Sequence, residues 1–231
     1  MHFIHIQKIW NQFPQLVPGL MTVDGIRPQV NVDVYIQPLY EQARLKLCSG
    51  PESQMPEIAA WRQVYSQMGL KPSKYRSAAE ALLRRFKRES DLPRLHPLVD
   101  FCNALSIASA LPVAVFDLDR VTDYLEVRYA KGAEEYLAFN GEIENPNPGE
   151  IIFADAAGKV HARRWTFRQS RLSTIRPETT RVLILSEGMH EGAIHDVDTV
   201  MDSLDKFITG IWASPKCRAI LTAEFPRKDF T

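Results

Sequence analysis

Some side chains of this sequence have the chemistry of metal ligands or acid–base catalysts, and their spacing limits which role they can take. His190 and His195 are five residues apart. On a helix this spacing turns the two imidazoles about 140° away from each other, whereas two zinc ligands on one helical face lie one turn apart. We therefore predict no metal site. Asp117 and Asp119 could form a carboxylate pair for acid–base catalysis, although two aspartates directly after a strand are more typical of a turn.

The motifs of several large enzyme classes do not occur. The sequence has no Gly-x-Ser-x-Gly elbow, no Walker loop and no Gly-x-Gly-x-x-Gly, so motifs place neither a hydrolase nucleophile nor a phosphate-binding loop. We predict that the protein uses no cofactor. Cys102 lies on the apolar face of a predicted helix, where a cysteine is more often a small hydrophobic residue than a nucleophile.

Composition and cysteine usage indicate a globular protein of the cytoplasm. The 231 residues are 45% hydrophobic and 24% charged, close to the averages for globular domains. The three cysteines are far apart and odd in number, which favours a reducing compartment. The first ten residues lack the apolar segment of a secretory signal, and no run of about 18 apolar residues occurs. We therefore expect no membrane contact.

Apolar residues at helical spacing predict four helices in the first half of the chain. One is opened by Pro38, one begins near Pro56, one is capped by Ser77, and one spans about 97–110. A last helix is predicted from about 193 to 212, after six strands. The predicted strands are 112–116, 125–130, 135–139, 150–154, 160–167 and 181–186.

Helices followed by strands and a final helix indicate an α+β fold rather than repeated βαβ units. We expect a mixed β-sheet core packed with helices. Residues 1–94 are predicted to form a helical N-terminal extension packed on an α+β domain of residues 95–231, the two making one compact unit.

Charge is balanced overall but segregated along the chain. The 28 basic and 28 acidic residues cancel, which excludes binding through net positive charge alone. Residues 74–88 and 163–181 each hold six basic residues and one acidic residue, whereas 187–205 hold six acidic residues and no Lys or Arg. Solvated faces explain most such runs, but Trp165 and Phe167 in the second basic run add surfaces on which RNA bases could stack.

Three stretches, taken in order, resemble one known family. They are HPLVDFCNALSIASALPVAVFDLDRV (96–121), LEVRYAKGAEEYLAFNGE (125–142) and PGEIIFADAAGKVHARRWTFRQSRLSTIRPETTRVLIL (148–185). They are similar to the tRNA-editing domain of the bacterial phenylalanyl-tRNA synthetase β subunit, often called the B-three/B-four domain. The resemblance covers about residues 95–187, and the helical first third looks like the extension of free-standing members.

This resemblance implies hydrolysis of the ester that joins a wrong amino acid to tRNA. In the synthetase the domain removes tyrosine from the phenylalanine tRNA, and a free-standing form would act in trans on an aminoacyl-tRNA released elsewhere. The implied partner is therefore tRNA and not DNA. The family is thought to position a water molecule with help from a terminal ribose hydroxyl, which fits the absence of a triad because orientation and charge stabilisation can accelerate cleavage of an activated ester.

The resemblance also implies site residues, none of them assigned as catalytic. Substrate would be bound by Asn103, Arg128, Glu134 and Gln169. Contacts with tRNA would come from Lys131, Arg163, Arg164, Trp165, Arg168 and Arg171, with Trp165 forming part of the wall on which the terminal adenine stacks. Ordinary structural roles remain open: a loop cap for Asn103, surface ion pairs for Arg128 and Lys131, and core packing for Trp165.

Two positions depart from the family pattern. Ala114 stands where the family has a histidine, and the glutamate that senses the tyrosine hydroxyl falls near Arg171. Because a buried polar sensor discriminates strongly between substrates, these changes leave the amino acid open. Two alternatives to a deacylase also remain: a module that binds tRNA or another RNA without hydrolysis, and a protein that binds a free amino acid or metabolite.

Overall fold

A computed structural model describes residues 1–230. Over this range the α-helices are Gln7–Gln12 (α1), Asp33–Cys48 (α2), Pro56–Gln67 (α3), Ala78–Glu89 (α4), Pro97–Ser109 (α5) and Ala193–Ile211 (α6). The strands are His2–His5 (β1), Val17–Asp24 (β2), Val113–Asp117 (β3), Tyr124–Tyr129 (β4), Glu135–Leu137 (β5), Ile143–Glu144 (β6), Ile151–Asp155 (β7), Lys159–Arg163 (β8), Arg168–Gln169 (β9), Arg181–Gly188 (β10), Cys217–Ile220 (β11) and Arg227–Asp229 (β12).

The strands form two sheets. One sheet has eight strands in the order β12-β1-β4-β7-β8-β5-β6, with β9 beside β8, and the other has the order β11-β2-β10-β3. The first sheet is mixed, because β1–β4 and β5–β8 are parallel pairs, whereas the second is antiparallel throughout. The α+β class with a mixed sheet, predicted from the order of elements, is confirmed.

Strand β10 shows why the smaller sheet lies in the interior. Val182 and Ile184 belong to the core that contains the buried faces of α2, α4, α5 and α6, and Leu183 and Leu185 belong to the core that contains residues of the larger sheet. The run VLIL lacks a polar alternation because both faces of this strand are covered. Phe116 of the smaller sheet stacks there on a phenylalanine of β7, with ring centroids 5.5 Å apart.

The first 24 residues are part of both sheets. Strand β1 lies between β12 and β4, and β2 lies between β11 and β10. The expectation that the first third holds only helices is wrong for these two strands. A division of the chain at residue 94 remains a prediction.

Two local predictions also need correction. Helix α2 begins at Asp33 rather than at Pro38, which lies inside it. Because Pro38 has no N–H, the carbonyl of Val34, four residues earlier, has no partner within the helix. Val34 is the exposed second residue of α2, so water can bond to this carbonyl. The predicted strand 160–167 ends at Arg163. By contrast, the Ser77 cap of α4 is confirmed, since its Oγ accepts a hydrogen bond from the Glu80 N–H at 3.3 Å.

Among residues 1–230, no helix is both long and apolar enough to cross a membrane.

Candidate functional site

An apolar cavity opens between the two sheets beside the turn that follows β8. Its walls include Ala114 and Phe116 of β3, Phe153 of β7, and Trp165. We call it the Trp165 cavity. Its empty volume is about 470 Å³, part of which is solvent space at its open mouth.

A strained turn places Trp165 in the cavity wall. Arg164 and Trp165 have φ angles of 49° and 60°, in the left-handed region. This conformation costs a residue other than glycine about 1–3 kcal/mol. It is held by the Trp165 N–H, which donates to the Ile151 carbonyl at 2.9 Å, and by the Thr166 carbonyl, which accepts from the Ala78 N–H at 2.8 Å. The turn ends β8 and sends the Trp165 indole into the core.

One buried carboxylate, that of Glu187 at the end of β10, also lines the Trp165 cavity. Its Oε1 is 2.7 Å from His5 Nε2. Trp165 Nε1 donates to both carboxylate oxygens, at 3.0 and 3.1 Å. The His5 and Glu187 side chains are 0% and 3% exposed. The hydrogen bonds of His5, Glu187 and Trp165 therefore connect β1, β10 and the Arg164–Trp165 turn.

Sequence analysis missed Glu187 and His5. It counted Glu187 in the acidic run 187–205, which is wrong for this residue because β10 continues through it into the core. A usable signal was present, since Glu187 directly continues the apolar run VLILS without a turn residue between them. A charged residue in such a strand is buried only when it is paired, and His5 is too distant in sequence for any pattern to identify it.

The cavity brings together three of the residues that the resemblance implies: Trp165, Arg168 and Gln169. Gln169 Nε2 donates to the Val115 carbonyl at 2.7 Å, which fixes the orientation of the amide. The Arg168 side chain is 39% exposed, and its Nη1 lies 3.4 Å from Glu144 Oε1. These two side chains supply polar groups to a cavity whose walls are otherwise mainly apolar.

A second group of predicted residues lies at the turn between β4 and β5. Arg128 Nη1 donates to Glu134 Oε1 at 2.5 Å, and the backbone N–H groups of Lys131 and Gly132 donate to the same carboxylate at 2.9–3.0 Å. Burial alone would raise the pKa of Glu134, but the Lys131 N–H and the Arg128 guanidinium outweigh it and lower the pKa to about 2. Glu134 is therefore an ionised group that holds this turn.

These turn residues do not line the Trp165 cavity, and neither does Asn103. Asn103 lies half-buried on α5, which packs against β3. The roles in substrate binding for Asn103, Arg128 and Glu134 remain predictions. Lys131 is exposed beside the Glu134 turn.

The arginines predicted to contact tRNA differ in exposure. Arg163 is buried and donates to Glu150 at 2.8 Å and to Glu144 at 2.5 Å. We leave Arg163 out of the proposed RNA-facing set, because leaving these carboxylates unpaired would be costly. Arg164 lies 3.6 Å from Glu150 with its guanidinium over an aromatic ring, whereas Arg171 is exposed.

The paired-aspartate alternative does not describe Asp117 and Asp119. Asp117 Oδ1 accepts from the Asp119 N–H at 3.0 Å, and Asp117 Oδ2 accepts from Thr179 Oγ1 at 2.7 Å. The turn role is confirmed. His190 is bonded to Asp196 at 2.8 Å, and in the described range 1–230 no group of three or more His, Cys, Asp or Glu side chains could hold a metal ion. Burial raises the pKa of the Cys102 thiol, which disfavours the reactive thiolate.

Fold and site together define an α+β domain with two packed sheets and an apolar cavity that carries a few polar groups. Residues 60–204 match the B3/4 domain family. The chain belongs to this family, and its resemblance to the synthetase β subunit is confirmed by the relatives below.

The similar proteins include phenylalanine–tRNA ligase beta subunits. That of Bartonella quintana (strain Toulouse) is 31% identical over 102 residues, a match that covers 44% of this chain and 12% of that protein. That of Cereibacter sphaeroides is 34% identical over 70 residues, covering 30% of this chain and 9% of that protein. The matched part of the chain thus spans 12% or less of the length of these relatives.

One solved structure is also similar, an N-terminal fragment of the phenylalanyl-tRNA synthetase beta-subunit from Pyrococcus horikoshii. It has a TM-score of 0.43 and 11% sequence identity, and the alignment covers 87% of this chain and 47% of that chain.

Proposed function

We propose that this protein hydrolyses the ester bond of a mischarged aminoacyl-tRNA, acting in trans. The observation that carries the proposal is the Trp165 cavity in a chain of the B3/4 family whose relatives are subunits of a tRNA ligase. Apolar walls suit an amino-acid side chain, and the few polar groups suit its orientation. Arg168 lines the cavity with a partly exposed side chain that can meet a phosphate there, and Arg171 is exposed three residues further along the chain.

The reaction needs little covalent chemistry from the protein. A water oxygen attacks the ester carbonyl carbon, and the bond from that carbon to the ribose oxygen breaks. One proton of the water passes to the ribose oxygen, and the remaining hydroxyl group stays on the released amino acid. Because Gln169 Nε2 is engaged by the Val115 carbonyl, the Gln169 Oε1 is the atom that would accept a hydrogen bond from the water. The positively charged Arg168 guanidinium would stabilise the negative charge that develops on the carbonyl oxygen.

A panel of mischarged tRNAs tests this function. We expect the full chain to release the amino acid from at least one pair faster than buffer does. Gln169→Ala and Arg168→Ala should each lower the rate about 10- to 1,000-fold, while the control Arg227→Ala, which removes an exposed arginine at β12, should not. A panel in which no pair is hydrolysed faster than in buffer would exclude the function.

One observation favours binding without hydrolysis. Ala114 lines the cavity at the position where the family has a histidine, and its methyl group can neither donate nor accept a proton. If the protein binds tRNA without hydrolysing it, we expect uncharged tRNA to bind with an affinity that falls steeply as the salt concentration rises. Every mischarged tRNA in the panel should then stay intact.

A further inference from the structure

A second hollow lies beside the turn that forms the cavity wall. It is lined by the rings of Tyr75 and Tyr129, the amides of Gln12 and Gln67, and the Arg164 guanidinium. The loop 147–150 forms its other side and includes the Glu150 carboxylate, which is paired with Arg163 and Arg164. We call it the Tyr75–Tyr129 groove. Its empty volume is about 820 Å³, part of it open to solvent. We propose that this groove binds one unpaired nucleotide of an RNA.

The groove offers each contact that a single-stranded nucleotide uses. Bases stack on aromatic rings and on guanidinium planes, and the Arg164 guanidinium carbon lies 4.9 Å from the Tyr75 ring centroid. Lys8 Nζ lies 4.7 Å from the Tyr129 centroid, and Lys74 Nζ lies 5.4 Å from the Tyr75 centroid. Each ammonium group lies over the face of its ring. A stacking base therefore displaces the flexible lysine side chain, whose charge stays within reach of the nucleotide phosphate.

The amides at the groove can read the edge of a base. Gln12 Oε1 accepts a hydrogen bond from the Tyr129 hydroxyl, so that the Gln12 NH₂ group is the part that can donate to a ligand. Gln67 lies exposed at the end of α3 and can both donate and accept. An amide pair of this kind suits the mixed donor and acceptor pattern of a nucleobase better than it suits an inorganic anion.

The groove and the Trp165 cavity share one wall. Arg164 lines the groove and the next residue, Trp165, lines the cavity. Tyr75 of the groove meets Phe167 of the cavity edge to face, with ring centroids 5.3 Å apart. The following placement of the tRNA end rests on the proposed function. The terminal nucleotide occupies the groove while its esterified amino acid enters the cavity. Stacking on Trp165 is then unnecessary, and the Trp165 indole is fully buried.

Binding of two labelled RNA hairpins to the full chain tests the groove. One hairpin carries a 3′ overhang of about four unpaired nucleotides and the other is blunt, each with fluorescein at the loop, and fluorescence anisotropy gives both Kd values. We expect the wild type to prefer the overhang by at least about tenfold. Tyr75→Ala and Tyr129→Ala should remove most of this preference, and Tyr75→Phe, which keeps the ring, should retain it.

A second pair of variants does not depend on the rings. Gln67→Glu places a negative charge in the groove and should reduce the preference for the overhang at least about threefold. Gln63→Glu adds the same charge at an exposed position of α3 outside the groove and should leave the preference unchanged. Tyr124→Ala, at the other end of β4, is the matched control for Tyr129→Ala, and thermal unfolding of each variant shows that it folds.

Any one of three results would contradict nucleotide binding in the groove. They are equal affinity of the wild type for both hairpins, an unchanged preference for the overhang in a folded Tyr75→Ala variant, and an equal loss of that preference in Gln63→Glu and Gln67→Glu. These results are separate from those that test hydrolysis. A preference for the overhang without deacylation of any mischarged tRNA would support nucleotide binding in the groove and exclude the proposed hydrolysis. Deacylation without that preference would support the hydrolysis and exclude nucleotide binding in the groove.

Discussion

His5, Trp165 and Glu187 form a buried hydrogen-bonded group, and its stability depends on every member being paired. A buried carboxylate is costly to remove from water, and here His5 Nε2 and Trp165 Nε1 supply its partners. Removing one member of such a group leaves the others unpaired, which costs more than the group contributes when intact. Trp165 and Glu187 also line the Trp165 cavity, so that the cavity shape and the stability of the protein are coupled.

Glu187→Gln should destabilise the protein by about 1–3 kcal/mol. The amide keeps the shape of the side chain, but it offers His5 and Trp165 one acceptor oxygen, whereas the carboxylate offers two. Glu187→Ala should cost about 3–5 kcal/mol, because the imidazole and the indole N–H both lose their partner. Urea unfolding gives both values. The control Glu191→Gln changes an exposed residue and should stay within about 0.5 kcal/mol of the wild type. Wild-type stability of Glu187→Ala would contradict the pairing.

Glu134 gives stability that depends on pH. Its pKa is about 2 in the folded protein and near its usual value of about 4.3 in the unfolded chain. The unfolded chain therefore takes up the proton first as pH falls, and the stabilisation, fully present above about pH 5, is lost progressively towards pH 2.

The free energy of unfolding of the wild type should exceed that of Glu134→Gln by a margin that shrinks between about pH 6 and pH 2.5. Chemical denaturation at several pH values measures this margin. Glu135→Gln alters an exposed neighbour paired with Lys159 and should give a small margin that changes little. A margin for Glu134→Gln that is equal at both pH values would show that the turn does not depend on the ionised carboxylate.

At the scale of elements, α6 lies close against β2 because β2 carries a glycine at the contact. A Cβ at Gly19 would lie 2.6 Å from Val197 Cγ1 and 2.9 Å from Met201 Cγ. Neither neighbour can yield easily, since both side chains are buried in the helical core.

Gly19→Ala should therefore destabilise the protein by about 1–3 kcal/mol through overpacking. Gly210→Ala is the matched control, because a Cβ at this position of α6 meets nothing within 4 Å and alanine favours a helix by about 1 kcal/mol over glycine. The two alanine variants should thus shift the urea midpoint in opposite directions. A Gly19→Ala protein as stable as the wild type would mean that α6 can move away from β2 at no cost.

Local patterns predicted the elements whose causes are local. The Ser77 cap, the run VLIL and the bounds of α5 and α6 were confirmed because capping, burial on two faces and helical spacing are visible within a few residues. Strand β1 was missed because its register depends on β4, more than 100 residues away. The strained Arg164–Trp165 turn was missed because long-range hydrogen bonds, not turn residues, hold it.

The site was predictable only in part, for the same reason. Motif order located Trp165, Arg168 and Gln169 on the cavity wall. It could not supply His5 or the groove residues Gln12 and Tyr75, which lie before the segment that carries the resemblance. Basic runs also overstate the positive surface, because Arg163 of the second run is buried among carboxylates.

At the scale of the whole molecule, the first 24 residues supply one interior strand to each sheet. A fragment of residues 95–231 would lack β1 and β2, leaving β4 and β10 with unpaired edges and the core between the sheets open. We expect this fragment alone to show no cooperative thermal unfolding and poor dispersion of its amide NMR signals, and co-expression with residues 1–94 to restore both. The control is the full chain cut at a protease site introduced in the exposed segment 93–95, which should stay folded because the contacts between the two pieces remain. If the 95–231 fragment unfolded cooperatively by itself, the sheets would not depend on β1 and β2, and the N-terminal segment would be a separable extension.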